Sequence, residues 1–162
     1  MIRKFIVLMF GFTTSVMACD LKVESAWIRE APSSAASLAG YAVLSNSGTK
    51  TLSIVSVAAV GFAKAEMHET LTENGIATMR PLGKLELSAK SKVEFLPAGK
   101  HLMLMNPKSP LDRGDMVAVS FKDGTGCQTT AQFTVGASDA KSSEPMDKAK
   151  MDQSKMDHSI HH

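Results

Sequence analysis

Two side-chain types with affinity for soft metals are unevenly distributed along this 162-residue chain. Of its five histidines, His68 and His101 lie mid-sequence, while His158, His161 and His162 close it. Methionine follows the same distribution. Met67, Met79, Met103 and Met105 accompany the first pair, and Met146, Met151 and Met156 precede the last three. Met116 stands apart, in an apolar stretch where a core role accounts for it. Thioethers are soft, neutral donors and imidazole is borderline, so a mixed set selects Cu(I) over hard cations and most divalent competitors. Zinc would call for thiolates, more histidines or a carboxylate. One Met in a β-protein is usually core filler. The repeated coincidence of both types carries the chemical reading.

The elements that position these groups are strands. In His101-Leu102-Met103-Leu104-Met105 alternate side chains share a face, so the two leucines point to the core and the imidazole and thioethers to the opposite surface. His68 and Met79 flank an Asn74-Gly75 hairpin signal, which brings them together beside the strand of His101 and Met103. Apolar alternation recurs at 21–28, 39–46, 51–60, 84–89, 92–96, 116–121 and 130–135. Turn signals separate these runs, among them Asn46-Ser47-Gly48, Pro97-Ala98-Gly99, Asp112-Arg113-Gly114 and Asp123-Gly124-Thr125-Gly126. Short strands at this spacing predict an all-β antiparallel sandwich or small barrel. Glu66 and Glu69 flank His68 and read as solvated surface carboxylates.

Residues 1–18 read as a secretory signal: Arg3 and Lys4 are basic, Phe5 to Phe12 apolar, and Val16 and Ala18 stand at the cleavage positions. The apolar run is too short to span a bilayer, and no transmembrane segment is expected in the mature chain. Without Arg3 and Lys4, 16 basic residues balance 16 acidic ones, which argues against nucleic acid as a partner. Two fates are open to Cys19 in an exported protein: a disulfide with Cys127, or lipid anchoring at the loose lipobox Val16-Met17-Ala18-Cys19. Residues 19–136 form the expected domain. Residues 137–162 are rich in Ser, Lys and Asp, repeat Met-Asp at 146, 151 and 156, and read as disordered.

The spacing His68-x10-Met79-x21-His101-x-Met103 resembles that of the periplasmic copper chaperones called PCu(A)C. So do the words Ala65-Glu66-Met67-His68-Glu69-Thr70, Met79-Arg80-Pro81-Leu82 and Leu111-Asp112-Arg113-Gly114-Asp115, over residues 20–136. The resemblance implies a cupredoxin-like Greek-key β-sandwich or barrel holding one exposed Cu(I) on His68, Met79, His101 and Met103. It implies delivery of copper to partner proteins in the periplasm, for assembly of the CuA site of cytochrome c oxidase with a thioredoxin-like assembly protein. Met67 and Met105 match neighbouring family positions without a ligand role. Trp27 falls on a family strand as a packing residue. The tail resembles extensions of some members and reads as a second copper-capturing segment: Met146, Met151 and Met156 suit Cu(I), and His158, His161 and His162 suit Cu(II). A monomer is expected.

Copper sequestration or tolerance is the alternative to delivery. A cupredoxin electron carrier needs a Cys thiolate with two His and an axial Met, yet no histidine follows Cys127 until the tail. No nucleophile is paired with a domain histidine, so an enzyme is not expected. A metal-free adhesion module would leave the His/Met clustering to chance.

Overall fold

The computed structural model describes residues 19–136. Ten strands follow one another: β1 (Leu21–Arg29), β2 (Ser37–Asn46), β3 (Leu52–Ala59), β4 (Phe62–Glu73), β5 (Ile76–Leu82), β6 (Leu85–Leu87), β7 (Lys92–Phe95), β8 (Lys100–Pro107), β9 (Met116–Asp123) and β10 (Gln128–Gly136). They hydrogen-bond in the order β5-β4-β8-β2-β1-β10-β9-β3-β6, with β7 also on β2. β1 runs parallel to β10 and the other pairs are antiparallel. Crossovers that seat β8 between β4 and β2, and β1 between β2 and β10, give the Greek-key, cupredoxin-like all-β architecture. No described residue belongs to a helix long and apolar enough to cross a membrane.

Alternation dictates the inside. Leu102 and Leu104 of β8 are fully buried, together with Leu44, Phe95, Phe121 and Phe133. Burying each such leucine contributes about 1.5–3 kcal/mol. A one-residue slip of β8 would exchange them for His101 and Met103, so the apolar face pins the register that presents those two. Gly40 of β2 lies directly under Leu102, where a Cβ would sit 3.3 Å from the leucine Cβ. Its missing side chain is what lets the two strands approach there.

The Asn74-Gly75 signal is realised as a two-residue turn. Asn74 (φ 52°) and Gly75 (φ 78°) both occupy the left-handed region, as a type I′ hairpin requires, and Glu73 pairs with Ile76. This turn fixes the β4–β5 register and so decides which residue faces Met79. β5 is the end of the strand order, a position that tolerates Pro81.

Cys19 and Cys127 are joined by a disulfide, with Cα atoms 5.9 Å apart, tying the start of the domain to the β9–β10 turn. In that turn Asp123 Oδ1 accepts hydrogen bonds from the Thr125 amide and hydroxyl and from the Cys127 amide, at 2.7–2.9 Å. Met116 departs from the sequence expectation. It is 62% exposed, because the core face of β9 is supplied by Val117, Val119 and Phe121.

Candidate metal centre

The site is laid out by strand register. On β4 alternation puts Glu66, His68 and Thr70 on one face. Their direct partners are Met103 and His101 on β8 and Met79 on β5: Glu66 opposite Met103, His68 opposite His101, Thr70 opposite Met79. Directly paired residues share a face, so two imidazoles and two thioethers gather on one side of three adjacent strands. The His68 and His101 rings are 5.9 Å apart between centroids, inclined at 44°. Met79, His101 and Met103 line a cavity of about 220 Å³, together with Ala39 of β2 and Arg29 of β1. His68 adjoins it through His101.

Depth differs from the sequence expectation. His101 and His68 are not surface groups but are only 6% and 9% exposed. Met103 is half-buried, and Met79, on the outermost strand, is 53% exposed. The four candidate ligands thus form a graded set, with the two imidazoles buried and one thioether at the rim. Met67 is in the core at 2% exposure, and Met105 is half-buried opposite Ser37.

Each imidazole has one nitrogen committed. His101 Nδ1 donates to the Gly99 carbonyl at 3.1 Å. A carbonyl oxygen only accepts, so the proton is on Nδ1 and the lone pair on Nε2. His68 Nε2 donates to Glu66 Oε2 at 3.0 Å, which leaves the lone pair on Nδ1. That atom is buried and has no hydrogen-bond partner among the described residues. A buried, unpaired ring nitrogen is costly unless something else coordinates it. Lys64, at 2.6 Å, and secondarily His68 hold the Glu66 carboxyl below the usual carboxylate range, which keeps it a charged acceptor for the imidazole. Glu66 is therefore part of the site rather than the plain surface carboxylate that its sequence context suggests. Glu69 fits that expectation no better: Lys100 at 2.7 Å and Arg80 at 3.1 Å clamp it across the strands.

Among the described residues no group of three or more His, Cys, Asp or Glu is arranged to hold a metal ion. Arg29 and Tyr41 were not singled out in the sequence. Arg29 Cζ lies 5.6 Å from the Tyr41 ring centroid, and Tyr41 packs on Trp27 at 4.6 Å. Trp27 is a packing residue, as expected. Residues 1–18, expected from the sequence to be a secretory signal, and the tail positions Met146, Met151, Met156, His158, His161 and His162 lie outside the described residues.

Comparisons with known proteins point the same way. A Leifsonia xyli subsp. xyli protein named "Putative lipoprotein Lxx21020" is 31% identical over 116 residues, which cover 70% of this chain and 69% of that protein. The solution structure of the Cu(I) form of DR1885 from Deinococcus radiodurans is 27% identical at a TM-score of 0.57, covering 73% of this chain and 80% of that one. The apo PCuAC domain of PmoF1 superposes at a TM-score of 0.61, with 21% identity, 73% of this chain and 94% of that one, and supports the fold alone. Residues 21–135 match the family described as "Putative lipoprotein LpqE-like". On that match, which spans nearly all of the described domain, the chain belongs to the LpqE-like family.

Proposed function

We propose that this protein is a periplasmic Cu(I) carrier that holds one ion as cargo on His68 Nδ1, His101 Nε2, Met79 and Met103 and passes it to partner proteins. The observation that carries the reading is the His68 ring: its Nδ1 is buried without a partner while Nε2 is tied to Glu66. Metal-ligating histidines commonly have this pattern, with the far nitrogen fixed by a carboxylate or carbonyl, and the Gly99 carbonyl does the same for His101. The likeness to the Cu(I) form of DR1885 supports copper as the cargo. All four donors are neutral, so a bound Cu(I) keeps its single positive charge, which this donor set favours over a divalent ion.

Release follows from the gradation of exposure. Met79 stands on an edge strand and is half in solvent, so an incoming thiol or imidazole displaces it first while the buried histidines keep hold. Stepwise ligand exchange of this kind transfers copper without setting it free. We assign delivery to the CuA site of cytochrome c oxidase, with a thioredoxin-like assembly protein as the second partner, ahead of sequestration. An electron carrier is disfavoured because Cys127, the thiolate such a site would need, is paired with Cys19. Titration of Cu(I) against a colorimetric chelator, with the chain cut back to residue 136 so that the tail methionines and histidines do not contribute, tests the reading. One tight equivalent is expected, lost on His101→Ala. Retention of that equivalent by His101→Ala overturns it.

A further inference from the structure

Arg29 supplies the one permanent charge among the described residues that line the cavity beside Met79, His101 and Met103. Strand pairing puts it there. On β1, alternation places Arg29 on the face of Trp27, whose partner across β2 is Tyr41. Two residues along β2 from Tyr41 is Ala39, paired with Met103 of β8. One outer face therefore runs from Arg29 over β2 to the thioether, and beside Met103 β2 raises only the methyl of Ala39.

The guanidinium is held in place and is not neutralised. Its Cζ lies 5.6 Å from the centre of the Tyr41 ring, and Tyr41 is itself buried against Trp27. Its Nε is buried and has no hydrogen-bond partner among the described residues. No ion pair among them involves Arg29. The adjacent carboxylate, Glu30, is engaged by Arg113 at 3.8 Å. Glu66, the carboxylate at the site, is taken by Lys64 at 2.6 Å and by His68 at 3.0 Å. Arginine stays protonated throughout the working pH range. At the wall of a mostly apolar cavity its uncompensated charge is an electrostatic cost, and that cost rises for any cation that enters.

We propose that Arg29 is a charge filter for the cargo: its fixed positive charge sets the site's preference for a monovalent over a divalent ion. Resting on the copper reading above, the filter works through charge alone. Coulomb repulsion grows in proportion to the charge of the ion, so Cu(I) meets it once and a divalent ion twice. The thioethers select by softness, but two histidines are also ordinary ligands for Zn(II). The guanidinium tips the balance against that ion without touching it. The same repulsion loosens the hold on Cu(I), which suits an ion that must be handed on.

Cu(I) and Zn(II) share a filled d shell and differ by one unit of charge, so the two ions together isolate the effect. Occupancy of the domain site is read in the full chain from the ring 15N signals of His68 and His101, with each ion in competition with a chelator. Arg29→Gln is expected to strengthen Cu(I) binding about tenfold and Zn(II) binding about a hundredfold, the square of the first, as a repulsion proportional to charge requires. Arg29→Lys, which keeps the charge, is expected to hold both affinities within about threefold of wild type. Equal gains for the two ions in Arg29→Gln, or no gain, overturn the filter. So does an Arg29→Lys variant that behaves like Arg29→Gln. Where Arg29→Gln displaces the metal-free ring signals, Arg29→Met, which also removes the charge, is read by the same criteria. If Cu(I) leaves both rings of the wild type unmoved, the copper reading falls and the filter with it. If Cu(I) binds there in one tight equivalent and Arg29→Gln leaves the ratio of the two affinities unchanged, the filter alone falls.

Discussion

His68 and His101 face one another across β4 and β8, and their protons are fixed on different ring nitrogens: Nε2 in His68 by Glu66, Nδ1 in His101 by the Gly99 carbonyl. The strands set where the rings are. The hydrogen bonds set which lone pair each ring offers.

Glu66 is the more vulnerable of these two orienting groups, because a side chain can be removed and a backbone carbonyl cannot. Glu66→Ala should weaken Cu(I) binding by about 10–100-fold, the usual cost of losing a group that orients a metal-ligating histidine. Chelator competition checks the affinity, and an unchanged thermal midpoint shows that the fold is intact.

Met79 and Met103 should differ in kinetics. Met103 is flanked on both sides by strands, whereas Met79 sits on the outermost strand and is largely solvated. Met79→Leu should accelerate copper loss to a competing thiol while the site keeps one equivalent. Met103→Leu should reduce the equilibrium affinity itself. Stopped-flow transfer to a chelator separates the two.

Much of this layout is legible in the chain because it is local. The His101-x-Met103 alternation and the Asn74-Gly75 turn each act over a few residues; alternation predicts a shared face for His101 and Met103, while the inclusion of His68 and Met79 rests mainly on the family spacing. What was not legible is non-local. Burial of His68 and His101 depends on β2 and β5 covering them, and Arg29 reaches the cavity only because β1 is packed beside β2, a pairing no short pattern encodes. Glu66 looked like surface because carboxylates on strands and hairpins are mostly solvated. Alternation along β4 nevertheless places it on the face of His68. Met116 lay in an apolar run, yet its phase on β9 turns it to solvent.

Asp123 gives a pH signature. Burial works to raise its pKa, but the Thr125 hydroxyl and the backbone amides of Cys127, Thr125 and Gly126 together outweigh it, and the carboxyl is held below its ordinary value. A depressed folded-state pKa stabilises the protein above the unfolded pKa, and that contribution is lost as pH falls through the folded value. Asp123→Ala should therefore cost about 1–2 kcal/mol at neutral pH, from the lost turn hydrogen bonds. The difference from wild type should shrink in acid. Denaturant unfolding at several pH values checks this.

The disulfide closes a loop with a sequence separation of 108 residues. Reducing it should lower stability by about 2–4 kcal/mol, since cross-links across long loops constrain the unfolded chain. Cu(I) affinity should be unaffected, because β4, β5 and β8 carry neither cysteine. Chemical denaturation and chelator competition with and without reductant test both halves. The intact mass of the exported protein should show the two sulfurs oxidised and no acyl chain on Cys19.

Long-range 1H–15N correlation of the imidazole rings shows whether one Cu(I) sits on His68 Nδ1 and His101 Nε2. Before metal, His68 should appear as the Nε2–H tautomer and His101 as the Nδ1–H tautomer. One equivalent of Cu(I) should shift His68 Nδ1 and His101 Nε2 and leave the protonated nitrogens near their starting positions. Unchanged domain rings, with only His158, His161 and His162 responding, would rule out copper on His68 and His101.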